Sequence, residues 1–518
     1  MFIKISLLVV FFAIMIGVGI YARKKVNTVD DFVLGNRSIG PWMTAFAYGT
    51  TYFSAVVFVG YAGQFGWKYG LSATWIGLGN ALLGSLLAWA VLGRRTRVMT
   101  HHLSASTMPE FFGKRFDSHA LKVVASAIIF IFMIPYTASV YNGLSRLFAM
   151  AFDIPFAVCV LAMAALTGVY VILGGYMATA VNDFIQGCIM LAGIIAVVAA
   201  TLLSQGGFMA AVSKLAVFES EASVTLGQAG AYTSFFGPDP LNLLGVIILT
   251  SLGAWGLPQM VHKFYAIKSE KTITTGMVVT TVFALVVAGG SYFLGGFARL
   301  FDSPAIYNAN GTVVFDSIIP HMISTLPDVL VGIVVMLVLS ASMSTLAALV
   351  LTSSSTLTLD FLKGNIIKTM NEKQQLLSLR LLVVFFIAIS VIIALDPPDF
   401  IAQLMGISWG ALAGSFLAPF LYGLYWKRVT NAAVWASFIC GVGITVSNMF
   451  FHYIASSINA GAIAMVVGLL VVPLVSVITR KPDEQRVSEV FSCYDEMVTV
   501  PRRVALEYGI PHDSEHLQ

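Results

Sequence analysis

About thirteen apolar stretches of some 20 residues each limit this chain's fold more than any other feature, because a helix of that length crosses the ~30 Å hydrocarbon core of a bilayer. They lie near residues 2–22, 41–66, 71–93, 120–149, 154–174, 181–204, 238–261, 272–299, 327–357, 377–395, 399–425, 431–452 and 459–479. Only 10% of the 518 residues are charged, against roughly a quarter in soluble proteins, and the mean hydropathy is +0.87. The sequence therefore predicts an all-α polytopic membrane protein.

The positive charges fall on alternate connections between these stretches. Of the 29 Lys and Arg residues, those that fall elsewhere are Lys4, Lys68, Arg146, Lys214 and Arg299. Connections rich in Lys and Arg stay in the cytoplasm. We therefore expect a multi-pass protein of the cytoplasmic membrane with its N-terminus outside and its C-terminus inside.

Motifs for soluble chemistry are missing from the sequence. It contains no CxxC, HExxH or GxxxxGK[ST] pattern, which are signatures of redox, zinc-hydrolase and nucleotide-binding sites. Cys159, Cys188 and Cys440 fall in apolar stretches and Cys493 in the tail, so no disulfide framework is indicated. The pattern argues against an enzyme and against nucleic-acid binding. Active transport by this chain would draw on an ion gradient or on a separate subunit.

Two of the apolar stretches contain clusters of helix-interrupting residues. One reads "AFAYGTTYFSAVVFVG" and the other "LTSLGAWGLPQMVHKF". They begin two successive groups of five stretches, and interrupted segments at corresponding positions of two halves indicate an inverted repeat with a midplane site. Gly and Pro are also common in membrane helices for packing alone. The predicted division is a first helix and loop at 1–40, repeats at 41–205 and 206–425, two further helices at 426–480, and a tail at 481–518.

The run "LSASMSTLAALVLTSSS" at 339–355 places hydroxyl groups inside a membrane helix. On a helix, Ala341, Ser344 and Thr345 share one face. An unwound segment near Thr50 and Phe53 would add free carbonyl oxygens. Five neutral oxygens suit a monovalent cation, because Ca²⁺ and Mg²⁺ call for carboxylate ligands. The alternative is that the hydroxyl groups only bond to carbonyls of their own helix.

Several longer motifs resemble one family of transporters. The segments "DDFVLGNRSIGP", "GGYMATAVNDFIQG", "GLPQMVHKF" and "MSTLAALVLTSSSTLTLDFLK" resemble the sodium:solute symporter family, from about residue 28 to residue 430. The segments "VLGRRTRVMTHHLSASTMPEFFGKRF" and "YTAS" are most similar to its sodium/proline branch. The resemblance implies a LeuT-type 5+5 inverted repeat preceded by one extra helix, with sodium as the coupling ion.

The resemblance also implies roles for individual residues. It assigns sodium to the carbonyls of Thr50, Phe53 and Ala341 and to the hydroxyls of Ser344 and Thr345. Some members hold a second sodium with hydroxyls just beyond this pair, where this chain has Ala347 and Ala348, so we expect one sodium per cycle. Asp183 matches an acidic residue on the inner sodium exit route, and a capping or solvated carboxylate is the alternative. Arg37 matches a basic residue at the cytoplasmic mouth, with a simple positive-inside anchor as the alternative.

The substrate assignment rests on residues beside the two interruptions. The expected set is Tyr52, Ser54, Tyr136, Trp255, Pro258 and Gln259. Proline symporters have an aspartate where this chain has Tyr52, and "TTYFSAVVFVG" is similar to the sodium/pantothenate branch. We therefore expect a sodium-coupled symporter of a small organic solute, with proline or a related amino acid first and pantothenate or another monocarboxylate second. A sensory membrane module is a third reading.

Overall fold

The computed structural model of the protein describes residues 2–23, 28–35, 39–363, 365–367, 369–397 and 400–495. In these ranges the chain is helical, and its extended residues make only isolated bridges. The helices are α1 (Phe2–Arg23), α2 (Val29–Leu34), α3 (Pro41–Tyr52), α4 (Ala62–Tyr69), α5 (Thr74–Gly79), α6 (Arg94–His102), α7 (Met108–Arg115), α8 (His119–Phe152), α9 (Phe156–Ser204), α10 (Phe208–Leu215), α11 (Pro240–Gly256), α12 (Pro258–Tyr265), α13 (Glu270–Gly295), α14 (Phe315–Ser324), α15 (Asp328–Thr356), α16 (Glu372–Leu395), α17 (Ile401–Tyr425), α18 (Asn431–Phe451), α19 (Ser457–Ile478) and α20 (Glu484–Ser492).

Shorter helical segments of other geometry complete the architecture. The π-helical segments are Val56–Tyr61, Asn80–Leu87, Trp89–Gly93 and Leu357–Leu362, and the 3₁₀ turns are Gly70–Ala73, Ser223–Thr225, Ala231–Thr233, Ala298–Phe301 and Pro304–Ile306. π-Helical turns inside α-helices occur frequently at functional sites. One of them, Val56–Tyr61, follows the first predicted interruption directly.

Helices occupy all of the apolar ranges predicted from the sequence. Within the described residues, nine helices are long and apolar enough to cross a membrane, or ten if α11 and α12 form one bent span. Shorter apolar helices cover Leu8–Ala22 and Phe156–Val169. The count of thirteen spans therefore stays a prediction, whereas the all-α polytopic character agrees with the sequence.

Two glycines separate helices that would otherwise run together. Gly70 has φ +61°, and a Cβ there would lie 2.2 Å from the carbonyl oxygen of Tyr232. Gly175 has φ +52° inside α9, and a Cβ there would lie 2.8 Å from the carbonyl oxygen of Phe32. Only glycine adopts such a conformation without steric cost. These two positions lie at or beside the boundaries between the second and third, and between the fifth and sixth, predicted spans.

Helix α15 lies at the centre of the molecule. Its residues from Leu337 to Thr356 are all buried, and it packs against α8, α9 and α3. A helix that is apolar on all sides belongs in a core rather than at a boundary. The hydroxyl-bearing run is therefore enclosed by protein, and its polar groups need partners in their own helix or in neighbouring helices.

Candidate functional site

Helix α3 ends in the middle of the predicted second span. Phe53 has extended geometry (φ −113°, ψ 106°), and its N–H donates to the carbonyl of Gly49 at 3.3 Å. The next helical segment begins after Ser54. An interrupted helix leaves backbone groups without intrahelical partners. Both Phe53 and Ser54 are buried, so carbonyl groups left free at the end of α3 lie inside the protein.

Thr345 of α15 joins this interruption to the central helix. Its Oγ1 lies 3.1 Å from the carbonyl oxygen of Ala341, 3.1 Å from that of Thr51 and 3.4 Å from that of Thr50. The hydroxyl of Ser344 donates to the Thr50 hydroxyl at 2.8 Å. The structure thus brings Thr50, Ala341, Ser344 and Thr345 together, and it places Phe53 in the adjacent extended segment.

This oxygen cluster fits a monovalent cation. Its ligand atoms would be the oxygens of backbone carbonyls and hydroxyls that converge from two helices. All of the named residues are buried. Several carbonyl oxygens share the one hydroxyl proton of Thr345, so most of their lone pairs remain open to an ion. The Oγ1 of Thr51 is itself buried and makes no hydrogen bond among the described residues. A set of neutral oxygens without a carboxylate favours a weakly bound monovalent cation over Ca²⁺ or Mg²⁺.

Sequence reasoning missed two residues of this region. Thr51 contributes a carbonyl that the motif comparison had not assigned. Ser342 accepts a hydrogen bond from the N–H of Ala55 at 3.3 Å, while its own hydroxyl donates to Val338 at 2.7 Å. Ser342 therefore satisfies the helical segment that restarts after the interruption. The signal for it was its place in the hydroxyl-rich run.

The second interruption is a bend between α11 and α12. The two helices meet at 43°, with Leu257 in an extended conformation and Pro258 at the first turn of α12. A Cβ on Gly256 would lie 2.7 Å from the backbone nitrogen of Leu417. Gln259 follows, 1% exposed, and both its amide atoms lack a hydrogen bond within the described ranges. A buried amide without partners is costly, which makes Gln259 a strong candidate for contacting substrate.

The predicted aromatic residues meet through a residue that sequence reasoning missed, Trp409 of α17. Its ring stacks on Tyr52 at 6.2 Å and packs edge-on to Tyr136 at 5.9 Å. The hydroxyl of Tyr52 donates to the Thr250 carbonyl of α11 at 2.5 Å, and the hydroxyl of Tyr136 lies near Ser54. The "ISWGALAG" context of Trp409 carried no signal beyond a lone aromatic among small residues.

Trp255 is placed differently from the other predicted substrate residues. Its indole N–H donates to the carbonyl of Leu83 at 2.9 Å, which ties α11 to the π-helical segment Asn80–Leu87. Its ring is 6% exposed. The bond gives Trp255 a structural role in holding the bent helix, in addition to any contact with substrate.

Asp183 is buried rather than solvated. Its side chain is 1% exposed, and its Oδ2 lies 3.5 Å from the Nζ of Lys263, which is 2% exposed. Lys263 belongs to α12, and its side chain is buried within the protein. The alternative of a solvated carboxylate at Asp183 is wrong. Arg37 lies outside the residues that the structure describes.

Comparison with known proteins assigns the chain to a family. Residues 32–441 match the model of the sodium:solute symporter family. The chain belongs to the sodium:solute symporter family. It is 27% identical over 489 residues to the osmoregulated proline transporter OpuE of Bacillus subtilis (strain 168), covering 91% of this chain and 94% of the relative. It is 28% identical over 502 residues to a sodium/proline symporter of Staphylococcus aureus (strain JH9), covering 92% and 93%.

Two solved structures share the fold of this chain. A Na⁺-coupled sialic acid symporter in a substrate-bound, outward-open state superposes with a TM-score of 0.73 at 16% identity, covering 93% of this chain and 99% of that one. Mhp1, a nucleobase-cation-symport-1 family transporter in a closed conformation, superposes with a TM-score of 0.50 at 12% identity, covering 89% and 97%. The predicted LeuT-type fold class and family resemblance are confirmed. The residue boundaries of the two repeats, and the roles of individual site residues in this family member, stay predictions.

Proposed function

We propose that this family member imports proline or a related amino acid together with one Na⁺ per cycle, by alternating access across the cytoplasmic membrane. The observation that carries the proposal is the convergence of the Thr345 hydroxyl on the carbonyl oxygens of Ala341, Thr50 and Thr51. The N-terminus is outside and the C-terminus inside, as the distribution of positive charge predicts.

Sodium binding at this cluster would couple the two helices that supply the ligands. Thr50 and Phe53 belong to α3 and the extended segment after it, whereas Ala341, Ser344 and Thr345 belong to α15. Relative movement of these elements would pull the ligands apart and lower sodium affinity. If sodium and solute both favour the same arrangement, each raises the affinity of the other by the same factor.

The solute would bind beside the two interruptions. The first turn of α12 presents Gln259, and a helix N-terminus attracts a carboxylate through its free N–H groups and its dipole. The amide of Gln259 supplies both a donor and an acceptor, which suits a molecule with a carboxylate and an amine. Tyr52, Ser54, Tyr136, Trp255 and Pro258 complete the proposed substrate set, with Trp409 as an aromatic wall behind two of them.

Asp183 and Arg37 complete the proposed path to the cytoplasm. Asp183 lies near the Ser344 hydroxyl, so a sodium ion that leaves the cluster would pass beside it. Arg37 would act at the cytoplasmic mouth, as in the family motif that it matches. Ala347 and Ala348 offer no side-chain oxygen, which supports a stoichiometry of one sodium.

The proposal is tested by uptake of labelled proline into proteoliposomes, with and without an inward Na⁺ gradient. We expect saturable accumulation that collapses when an ionophore dissipates the gradient. Proline uptake that ignores sodium would contradict the coupling. Absence of proline uptake would exclude proline as the substrate. Labelled pantothenate would then be tested in the same vesicles, since Tyr52 replaces the aspartate of proline symporters. Sodium-dependent binding without any accumulation would favour a sensory module.

A further inference from the structure

The pair formed by Lys263 and Asp183 is unusual for its position. Both side chains are almost completely buried, and the Nζ–Oδ2 distance is 3.5 Å. The ammonium also lies 5.1 Å from the centre of the Tyr176 ring, which supplies a cation–π contact. Ionisable groups at membrane depth are expensive and usually mark an ion or substrate pathway. The cost falls only if the two charges neutralise each other.

The surroundings of this pair are rich in unused oxygen atoms. Within the described residues, the Oδ1 atoms of Asp183 and Asn182, the Oη of Tyr176 and the Oε1 of Gln186 are buried and make no hydrogen bond. All four residues belong to α9, after the kink at Gly175. A buried carboxylate with one oxygen free of hydrogen bonds can bind a cation, and the neutral oxygens lie on the same part of α9. At present the only cation that the structure places against this carboxylate is the ammonium of Lys263.

The Lys263–Asp183 pair lies next to the proposed sodium cluster. Asp183 is near the hydroxyl of Ser344, and α12, which carries Lys263, packs against both α3 and α15. A carboxylate near the cluster would attract sodium strongly, because the local dielectric constant is low. The ammonium of Lys263 neutralises Asp183, so it weakens sodium binding at the cluster and competes with a further cation for the carboxylate.

We propose that Lys263 is a tethered cation, which occupies at Asp183 the place that a second transported ion would otherwise take. In this role it keeps coupling at one sodium per cycle, and it lowers sodium affinity enough for release. The inference rests on the proposed sodium coupling and adds a determinant of its stoichiometry. Lys263 acts on sodium through Asp183 and through charge, so it is a positioning residue rather than a ligand.

Equilibrium binding of radiolabelled sodium to the purified protein in detergent tests this role without relying on transport. We expect one bound sodium for the wild type and for Lys263→Arg, which keeps the charge. In Lys263→Met the unpaired carboxylate of Asp183 should bind a second sodium, or the sodium half-saturation should fall by about tenfold. Lys268→Met serves as the matched control, since this nearby lysine is exposed and its charge lies outside the Lys263–Asp183 pair.

A second pair of variants keeps the test decisive if Lys263→Met fails to fold. Asp183→Asn leaves the lysine charge unbalanced and should raise the sodium half-saturation by about tenfold. Asp183→Asn combined with Lys263→Met removes both charges and should restore one site near wild-type affinity. Lack of this rescue, or a single site of unchanged affinity in Lys263→Met, would overturn the tethered-cation role. A wild type that binds no sodium would instead overturn the proposed function on which it rests.

Discussion

The hydroxyl groups of the run at 339–355 divide into those that serve their own helix and those that reach another. Ser354 and Ser355 donate only to Leu351 and Thr352, one turn earlier. Thr345 also contacts the carbonyl one turn earlier, but its Oγ1 reaches two carbonyls of α3 as well. Ser354 and Ser355 therefore fit the intrahelical interpretation, whereas Thr345 also has the contacts that the proposed cation site requires.

Replacing Thr345 should weaken sodium binding selectively. We expect Thr345→Ala to raise the sodium half-saturation of uptake by about tenfold, ~1.4 kcal/mol of binding free energy, because one oxygen ligand is lost. Thr345→Ser keeps the oxygen and should stay near the wild type. Ser355→Ala is the matched control, a buried hydroxyl of the same helix bonded only to it. Equal effects of Thr345→Ala and Ser355→Ala would rule out a ligand role.

Gln259 offers a prediction in which stability and function separate. Gln259→Leu removes two buried amide atoms that lack partners, so thermal stability should hold or rise by about 1 kcal/mol. The KM for solute should rise about tenfold, because the amide no longer contacts it. Gln375→Leu is the contrasting control, since the amide of Gln375 donates to the Met370 carbonyl at 2.7 Å. That variant should lose stability and keep its KM, and the reverse pattern would contradict a substrate role for Gln259.

At the scale of helices, close crossings hold the interrupted span against α13. A Cβ on Gly66 of α4 would lie 2.0 Å from the carbonyl oxygen of Gly295, and a Cβ on Gly295 would lie 2.1 Å from that of Ala62. Small residues at such crossings let backbones approach, which is a main source of helix association in membranes. The sequence does not predict this pairing, because Gly66 and Gly295 are 229 positions apart. Packing of the helices decides that the two meet.

Enlarging this crossing should separate the two helices. We expect Gly66→Ala to lower the free energy of unfolding by about 2 kcal/mol or more, since the obstructing atoms belong to backbone. Heating followed by fluorescence-detected size-exclusion chromatography would measure the loss. Gly443→Ala is the control, because a Cβ there meets nothing within 4 Å and should be neutral or stabilising by about 0.5–1 kcal/mol. Equal melting temperatures for both variants would show that the crossing has room to adjust.

A long connection is anchored to the helices by an ion pair at the predicted outer face. Arg299 donates to both carboxylate oxygens of Glu221, at 2.9 and 3.0 Å, and its guanidinium lies 4.1 Å from the centre of the Tyr232 ring. These hydrogen bonds hold the pKa of Glu221 below its usual 4.5. A lowered carboxylate pKa stabilises the fold above the ordinary pKa, and the stabilisation is lost as the pH falls through the lowered value.

Acidification should therefore erase the contribution of this anchor. The wild type should melt slightly above Glu221→Gln between about pH 5 and pH 8, and the difference should disappear as the pH falls through the lowered pKa of Glu221. The difference should be small, because the side chain of Glu221 is 69% exposed and exposed pairs contribute little. Glu219→Gln, at a nearby exposed carboxylate, should show no such difference. A gap that widens on acidification would contradict the sign.

At the scale of the whole molecule, the start of the tail is part of the folded structure. Val487, Val490 and Phe491 of α20 are buried. The ring of Phe491 faces the guanidinium of Arg115 at 4.9 Å, and Arg115 donates to the carbonyls of Gly423 and Trp426. Burial lowers the pKa of Arg115 to about 10, which leaves it charged at neutral pH. The tail thus joins α7 to the end of α17.

Removing the buried ring should loosen this contact. We expect Phe491→Ala to reduce stability by about 3 kcal/mol, as for a large-to-small change in a core, with a lower melting temperature in detergent. Ser488→Ala on the exposed face of α20 should leave it unchanged. A wild-type melting temperature for Phe491→Ala would mean that the tail contributes nothing to the folded state in solution.

The sequence by itself determined the features that depend on local chemistry. Apolar length set the helices, Gly and Pro set the two interruptions, and the spacing of Ala341, Ser344 and Thr345 placed them on one face. These follow from backbone hydrogen bonding and from the solvent that surrounds each segment. Motif resemblance then connected those local features to a family and to sodium.

Only the tertiary structure decided which distant groups meet. It brought Thr51 to Thr345, set Trp409 between Tyr52 and Tyr136, and buried Lys263 against Asp183. The physical reason is that such contacts depend on how neighbouring helices rotate and slide against each other. Side-chain packing over the whole bundle sets that arrangement. The hydrophobic pattern of a single helix does not reveal it, and this holds most clearly for the fully buried stretch Leu337–Thr356 of α15.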